Sequence, residues 1–251
     1  MSKIIFITGA TSGFGRAAAL KFAEAGYDCI INGRRVDRLS ELQAEIESKY
    51  NVAVYTVPFD VQDENAVFDS INNLPDTCKP IDVLFNNAGL ALGRSHFDEG
   101  ELSDWNIMID TNVKGLLYVS KAVLPVLKKP GGHIINMGSV AAKDIYEKGN
   151  VYCAAKAAVD TISHAMRIDL LRLGIKVTAI HPGASETEFS LVRFKGDAET
   201  AKSIYNGLKP LSAGDVADII YYCASLPEHI CINDLVVTCT QQADGIYFNR
   251  K

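Results

Sequence analysis

Seven short runs rich in Ile, Val and Leu recur along the chain: KIIFIT at 3–8, DCIING at 28–33, VAVYTV at 52–57, IDVLFN at 81–86, GHIINM at 132–137, IKVTAI at 175–180 and NDLVVT at 233–238. Between them lie longer stretches with an apolar residue at every third or fourth position, such as RAAALKFAEAG at 16–26 and ELQAEIESKY at 41–50. Strands alternating with helices predict βαβ units on a parallel sheet. The strands are apolar almost throughout, as expected when helices cover both faces. Right-handed crossovers then give an α/β, doubly wound (Rossmann) sheet of about seven strands. The rhythm breaks at 186–210, where Phe189, Leu191, Val192, Phe194 and Tyr205 stand among charges. An excursion there lies beyond the carboxyl end of a strand, where open α/β sheets bind ligands, and predicts a small substrate lid. No linker, repeat or low-complexity segment interrupts residues 1–251, so one domain is expected.

Composition narrows the function without naming it. The chain has 251 residues, 48% hydrophobic and 22% charged, which is ordinary for a globular protein. Its net charge of −5 offers no basic footprint for nucleic acid. The six cysteines (Cys29, Cys78, Cys153, Cys223, Cys231, Cys239) form no C-x-x-C pair and have no histidine cluster beside them, so no metal is expected. They read as reduced thiols of a cytoplasmic protein. MSKIIFITGA is too short for a signal core, and no run reaches 18 apolar residues, so no membrane segment is expected.

The first strand runs into TGATSGFG (8–15), with Gly9, Gly13 and Gly15 spaced G-x-x-x-G-x-G. A glycine loop between strand and helix lets backbone N–H groups approach a pyrophosphate at the positive end of the helix; a tight turn with a glycine cap would use the same residues. No Gly-Lys-Ser/Thr follows, so this is no P-loop. The second strand ends in INGRR, with no acid but with Arg34 and Arg35. A guanidinium fork suits a ribose 2′-phosphate, which predicts NADP over NAD, although a solvent-facing pair is the simpler alternative. In VYCAAKAAV (151–159), Tyr152 and Lys156 stand four apart on one helix face. An ammonium beside a phenol lowers the phenol's pKa toward neutral pH. Tyr-x-x-x-Lys is common by chance, and a packed tyrosine with a solvated lysine fits it as well.

The motifs become specific together. TGATSGFG opens the chain, and Asp60-Val61 follows the third strand. NNAG (86–89) follows the fourth, Asn112 sits in the next helix, and Ser139 ends the fifth strand in NMGS. Tyr152 and Lys156 come next, and PGASET (182–187) follows the sixth strand. Over essentially the whole chain this resembles the short-chain dehydrogenase/reductase family. The stretches NNAGLALG (86–93), MIDTNVKG (108–115), GNVYCAAK (149–156), TEFSLVRFKGD (187–197) and INDLVVTCTQQADG (232–245) are most similar to its NADP-dependent 3-hydroxy acid dehydrogenases, which act on serine and allo-threonine.

The resemblance implies the roles. Tyr152 is the general acid/base, and Lys156 lowers its pKa and holds the nicotinamide ribose. Ser139 hydrogen-bonds the substrate oxygen, and Asn112 binds a water that links Lys156 to solvent. The loop from Gly9 through Thr11, Ser12, Gly13 and Phe14 holds the pyrophosphate. Asp60 and Val61 flank the adenine and Asn87 the adjacent ribose. Pro182, Gly183, Ser185 and Thr187 hold the carboxamide and pyrophosphate. Substrates would be small 3-hydroxy acids or hydroxy amino acids, with bulkier carbonyls (3-oxoacyl, sepiapterin-like or sugar) as the alternative. A regulator that kept the fold and lost the chemistry is the remote alternative. Arg193 suits a substrate carboxylate because its fork makes two parallel hydrogen bonds; it could equally pin the lid. His133, His96, His164, His229 and Trp105 read as structural, and His181 stands close to the cofactor. KDIYEK (143–148) is expected at the substrate entrance. Segments 102–128 and 150–173 are apolar beyond one face, so each has a second surface to bury. The resemblance implies that this surface builds a homotetramer.

Overall fold

The computed structural model describes residues 2–251, and its seven strands form one parallel sheet. The strands are β1 (Ile4–Ile7), β2 (Asp28–Gly33), β3 (Val54–Pro58), β4 (Val83–Asn86), β5 (His133–Met137), β6 (Lys176–Pro182) and β7 (Asp234–Val237), in the spatial order β3-β2-β1-β4-β5-β6-β7. Every neighbouring pair is parallel. The chain winds outward from β1 to β3, then returns to start again at β4. This reversal opens a crevice at the carboxyl ends of β1 and β4.

Alternation along the strands sends side chains to two cores. Ile5, Ile7, Cys29, Ile31 and Phe85 face one layer, built by α1 (Gly13–Glu24), α2 (Val36–Lys49) and α9 (Ala213–Ser225). Ile4, Phe6, Ile30, Leu84, Ile134 and Val177 face the other. There they meet Val67 and Ile71 of α3 (Glu64–Asn72), Val119 and Val123 of α5 (Leu116–Val123), and Leu170 of α6 (Asn150–Leu170). Two side-chain caps fix helix starts. Asp63 accepts the Ala66 amide at the start of α3, and Ser212 and Asp215 form a reciprocal capping box on α9.

The strands lie where the apolar runs put them, with small shifts. β3 starts two residues later than 52, because the Ala53 amide donates to the Asp28 carboxylate. The 102–128 segment is not one regular helix. α4 (Leu102–Ile109) passes into α5 through a wide π turn at Asp110–Gly115. Gly115 fits this bend against Val61, whose Cβ would lie 3.0 Å from any Cβ there. The 186–210 lid carries two short helices, α7 (Glu188–Arg193) and α8 (Ala198–Ser203). Among the described residues no helix is long and apolar enough to cross a membrane.

Candidate active site

A cleft of about 870 Å³ runs along the carboxyl ends of the strands. Every residue singled out in the sequence for cofactor or substrate lines it, while Asn112 does not reach its wall. At one end the loop after β1 passes very close to its neighbours. A Cβ on Gly15 would lie 2.4 Å from the Gly9 carbonyl oxygen, and Gly9 itself has φ +66°. Only glycine allows both the approach and the left-handed turn. Ser12 begins α1 without a capping side-chain hydrogen bond, so first-turn N–H groups remain for an anion. Across the channel Thr187 faces Gly13, whose Cβ would lie 3.5 Å from the threonine Cβ. The Thr187 hydroxyl accepts the Phe189 amide and keeps its own proton to donate.

Arg34 and Arg35 stand at the end of β2 as the sequence suggested, but acids from remote segments join them. Arg34 pairs with Asp60 at 3.3 Å. Arg35 donates to Thr11 at 2.9 Å and pairs with Glu188 of the lid at 3.2 Å. Arg38, absent from the sequence reading, holds the same carboxylate at 2.6 Å. Burial pushes Glu188 up, but hydrogen bonds from Arg38 and Arg35 outweigh it and leave the carboxyl below its usual range. An anion is therefore already held between two guanidiniums, on the wall where the ribose of a dinucleotide would lie. The close glycine approach, the uncapped helix and this cationic cluster together fit a phosphorylated dinucleotide. Asn87 acts one step back from it. Its amide donates to the Thr8 and Gly9 carbonyls and so pins the glycine loop.

The residues expected to transfer the proton, Ser139, Tyr152 and Lys156, all line the cleft. Tyr152 and Lys156 lie one turn apart on α6, and both are buried. The sequence led us to expect a lowered phenol pKa, and the structure reverses that. Burial drives Tyr152 well above its ordinary value and the Tyr146 phenol adds to this, while the Ser139 hydrogen bond and the Arg193 charge pull it back. The Lys156 ammonium donates to the Met137 carbonyl at 2.9 Å, and burial lowers its own pKa to about 8. Ser139 accepts the Ala141 amide at 3.1 Å, which leaves its hydroxyl proton free to donate. Asn112 spends both ends of its amide on the Leu90 backbone, at 2.8 Å each.

Arg193 joins this set from the lid. Its guanidinium carbon lies 5.4 Å from the Tyr152 ring centre and 5.6 Å from that of Tyr146. Nη1 donates to the Tyr146 hydroxyl at 3.0 Å and Nε to the Gly93 carbonyl, while Nη2 has no protein partner among the described residues. The same residue thus pins the lid and keeps a free donor beside the phenol. Lys195, the other lid cation, is committed to Asp104 at 2.8 Å.

Tyr146 and Glu147 of the KDIYEK segment line the entrance, with Arg94 nearby. No motif pointed to Gln242, whose Oε1 accepts the Ala184 amide at 2.7 Å and braces the 182–187 loop. His133 is structural: it is buried against Thr178 at 2.7 Å. Asp160, His164 and Asp234 have ligand-like spacing, yet the Lys143 ammonium already lies between the two carboxylates, at 2.8 and 2.7 Å.

Comparisons with known proteins agree with this geometry. The family model described as short chain dehydrogenase matches residues 3–197. Sulfoacetaldehyde reductase 2 of Chromohalobacter salexigens is 47% identical over 97% of this chain and 96% of its own. Serine 3-dehydrogenase of Agrobacterium fabrum is 44% identical, again over 97% and 96%. Among solved structures, the closed form of a serine dehydrogenase complexed with NADP+ is 40% identical with a TM-score of 0.89, covering 99% of this chain and all of that one.

Proposed function

The chain belongs to the short-chain dehydrogenases, and from that premise we propose that it exchanges a hydride between NADP and a small 3-hydroxy acid or hydroxy amino acid. It is an oxidoreductase acting on CH–OH groups, within one catalytic domain. The observation that carries the reading is the meeting of Tyr152, Ser139 and Lys156 under the free guanidinium edge of Arg193.

The nicotinamide, when bound, supplies or accepts the hydride. The chain's own groups handle the oxygen and its proton. In reduction Tyr152 gives its phenolic proton to the carbonyl oxygen, and burial keeps that proton in place until it is needed. Ser139 donates a second hydrogen bond to the same oxygen as negative charge develops there, a contribution of about 3 kcal/mol in comparable sites. Lys156, with a pKa near 8, can return a proton to the phenolate and holds the cofactor ribose hydroxyls. Oxidation runs the same steps backward. Arg193 fixes the substrate carboxylate through Nη2 and orients the hydroxyl carbon. Arg34, Arg35 and Arg38 receive the 2′-phosphate, with Glu188 yielding its place.

A second substrate reading has its own support. Arg94 and Arg193 both lie against Tyr146, at 6.0 and 5.6 Å from the ring centre. Two cations at one entrance suit a sulfonate as well as a carboxylate, and a sulfoacetaldehyde reductase is among the relatives. The protein works as a homotetramer in the cytoplasm; the exposed Ile168 and Leu171 of the α6 region support the assembly.

Following NADPH formation with serine, 3-hydroxypropionate and 2-hydroxyethanesulfonate, beside neutral alcohols of the same shape, tests the proposal. Anionic alcohols should be oxidised at least ~10-fold more efficiently, the scale of one charge-assisted hydrogen bond. Equal rates on neutral and anionic alcohols would overturn it.

A further inference from the structure

His181 has no part in the chemistry described above, yet it lies against the residue that does. It is fully buried on β6, behind the strand end that presents Ser139. The approach is so close that a Cβ on Gly138 would lie 2.4 Å from His181 Nδ1. Nδ1 is 3.3 Å from the Ser139 amide nitrogen and 3.1 Å from its carbonyl oxygen. On the far side Nε2 lies 3.4 Å from Asp160 Oδ1 and 3.6 Å from Asp234 Oδ2. Both Nε2 and that Asp160 oxygen are buried, and neither has a hydrogen-bond partner among the described residues.

These contacts select one proton arrangement. The Ser139 carbonyl already accepts the Ala142 amide at 2.9 Å, whereas the Ser139 amide finds its acceptor in Nδ1. Nδ1 is therefore the bare nitrogen. The proton is left to Nε2, which faces the Asp160 and Asp234 carboxylates. The charged surroundings are Asp160 and His164 on α6, Asp234 on β7, and Lys143 between the two carboxylates. Lys143 neutralises much of the carboxylate pull, and burial disfavours the charged ring, so the neutral form follows.

We propose that His181 is a positioning residue for Ser139: with Nε2–H turned toward Asp160 and Asp234, its ring accepts a hydrogen bond from the Ser139 amide at Nδ1 and so fixes the main chain that carries the Ser139 hydroxyl. The arrangement works because the hydroxyl oxygen is only two bonds beyond the Ser139 Cα, on a main chain that the ring meets on both its amide and carbonyl sides. It rests on the role proposed for Ser139, and the experiment separates the two.

The experiment is a double-mutant cycle on the full chain, in which His181→Leu and Ser139→Ala are made singly and together. His181→Leu should lower kcat about 10-fold, the scale of a small misplacement of a catalytic group, with KM and the NADP Kd within ~2-fold. His181→Asn keeps an acceptor near Nδ1 and should recover most of kcat. In the Ser139→Ala background His181→Leu should add less than ~2-fold, because its effect runs through the missing hydroxyl. Independent, additive losses would overturn the proposal while leaving the function intact. A Ser139→Ala protein of normal kcat would overturn both. Nitrogen NMR of the wild-type histidines needs no variant to be active, and His181→Asn assigns the signal. A neutral ring protonated at Nε2 is expected near pH 7, and a proton on Nδ1 would contradict the inference.

Discussion

In the proposed function Arg193 decides substrate choice, because it joins the lid to the proposed proton donor. Its Nη1 and Nε donate to Tyr146 and Gly93, Nη2 has no protein partner among the described residues, and the guanidinium carbon lies 5.4 Å from the Tyr152 ring centre. Arg193→Met keeps the length and removes the charge. We expect kcat/KM for hydroxy acids to fall at least ~30-fold, as for the loss of a charge-assisted hydrogen bond, and that for a neutral alcohol of the same shape much less. Steady-state kinetics on the pair of substrates checks this, and an equal fall for both would reduce Arg193 to a lid pin. At this scale the sequence was readable where one short motif holds the answer. Ser139, Tyr152 and Lys156 were singled out by several such motifs taken together, and all three line the cleft. It was not readable where partners come from remote segments: Glu188 on Arg35, Gln242 on Ala184, and His181 between Asp160 and Ser139. The direction of the Tyr152 shift was missed for the same reason, since burial is a property of the whole packing and it outweighs the charge the spacing suggested.

At the scale of elements, the apolar runs located all seven strands: the five inner strands are buried on both faces and leave an unbroken signal, while the half-exposed edge strands β3 and β7 are still rich in valine. Helix starts were less visible. α2 begins at Val36, five residues before the periodic stretch noted in the sequence. The lid looked irregular because helices of six residues are too short to show a period. β5 carries a pH consequence. His133 donates through Nε2 to Thr178, whose own hydroxyl proton goes to the Ile232 carbonyl, and its Nδ1 is buried without a partner. Burial, aided by Lys176, lowers its pKa to about 3. The folded value lies below the unfolded value of about 6.5. The unfolded chain therefore takes up the proton first as pH falls. Stability is whole above about pH 6.5 and declines toward pH 3, by about 1.4 kcal/mol per unit for this one group. Urea midpoints between pH 7 and 4.5 should fall less steeply in His133→Leu than in the wild type. Parallel slopes would place the acid sensitivity elsewhere.

The whole molecule leaves apolar surface uncovered. Ile168 and Leu171 are each 75% exposed near the end of α6, and Leu117 on α5, Tyr222 on α9 and Val236 on β7 are exposed as well. Light scattering at micromolar concentration should give four times the chain mass of 27.3 kDa, and Ile168→Glu with Leu171→Glu should lower it. A wild-type mass of one chain would reject the assembly. The sequence anticipated a second apolar surface on these helices without showing which residues remain outside the core, because that depends on how each helix rolls against the sheet. The catalytic claim for the molecule turns on a single proton donor. The most direct test compares wild type with Tyr152→Phe at saturating NADP, measuring NADPH formation from 3-hydroxypropionate and, separately, NADP affinity. We expect kcat to fall at least ~100-fold, the usual scale for a general acid or base, with the NADP Kd within ~2-fold. Turnover close to wild type in Tyr152→Phe would contradict the mechanism.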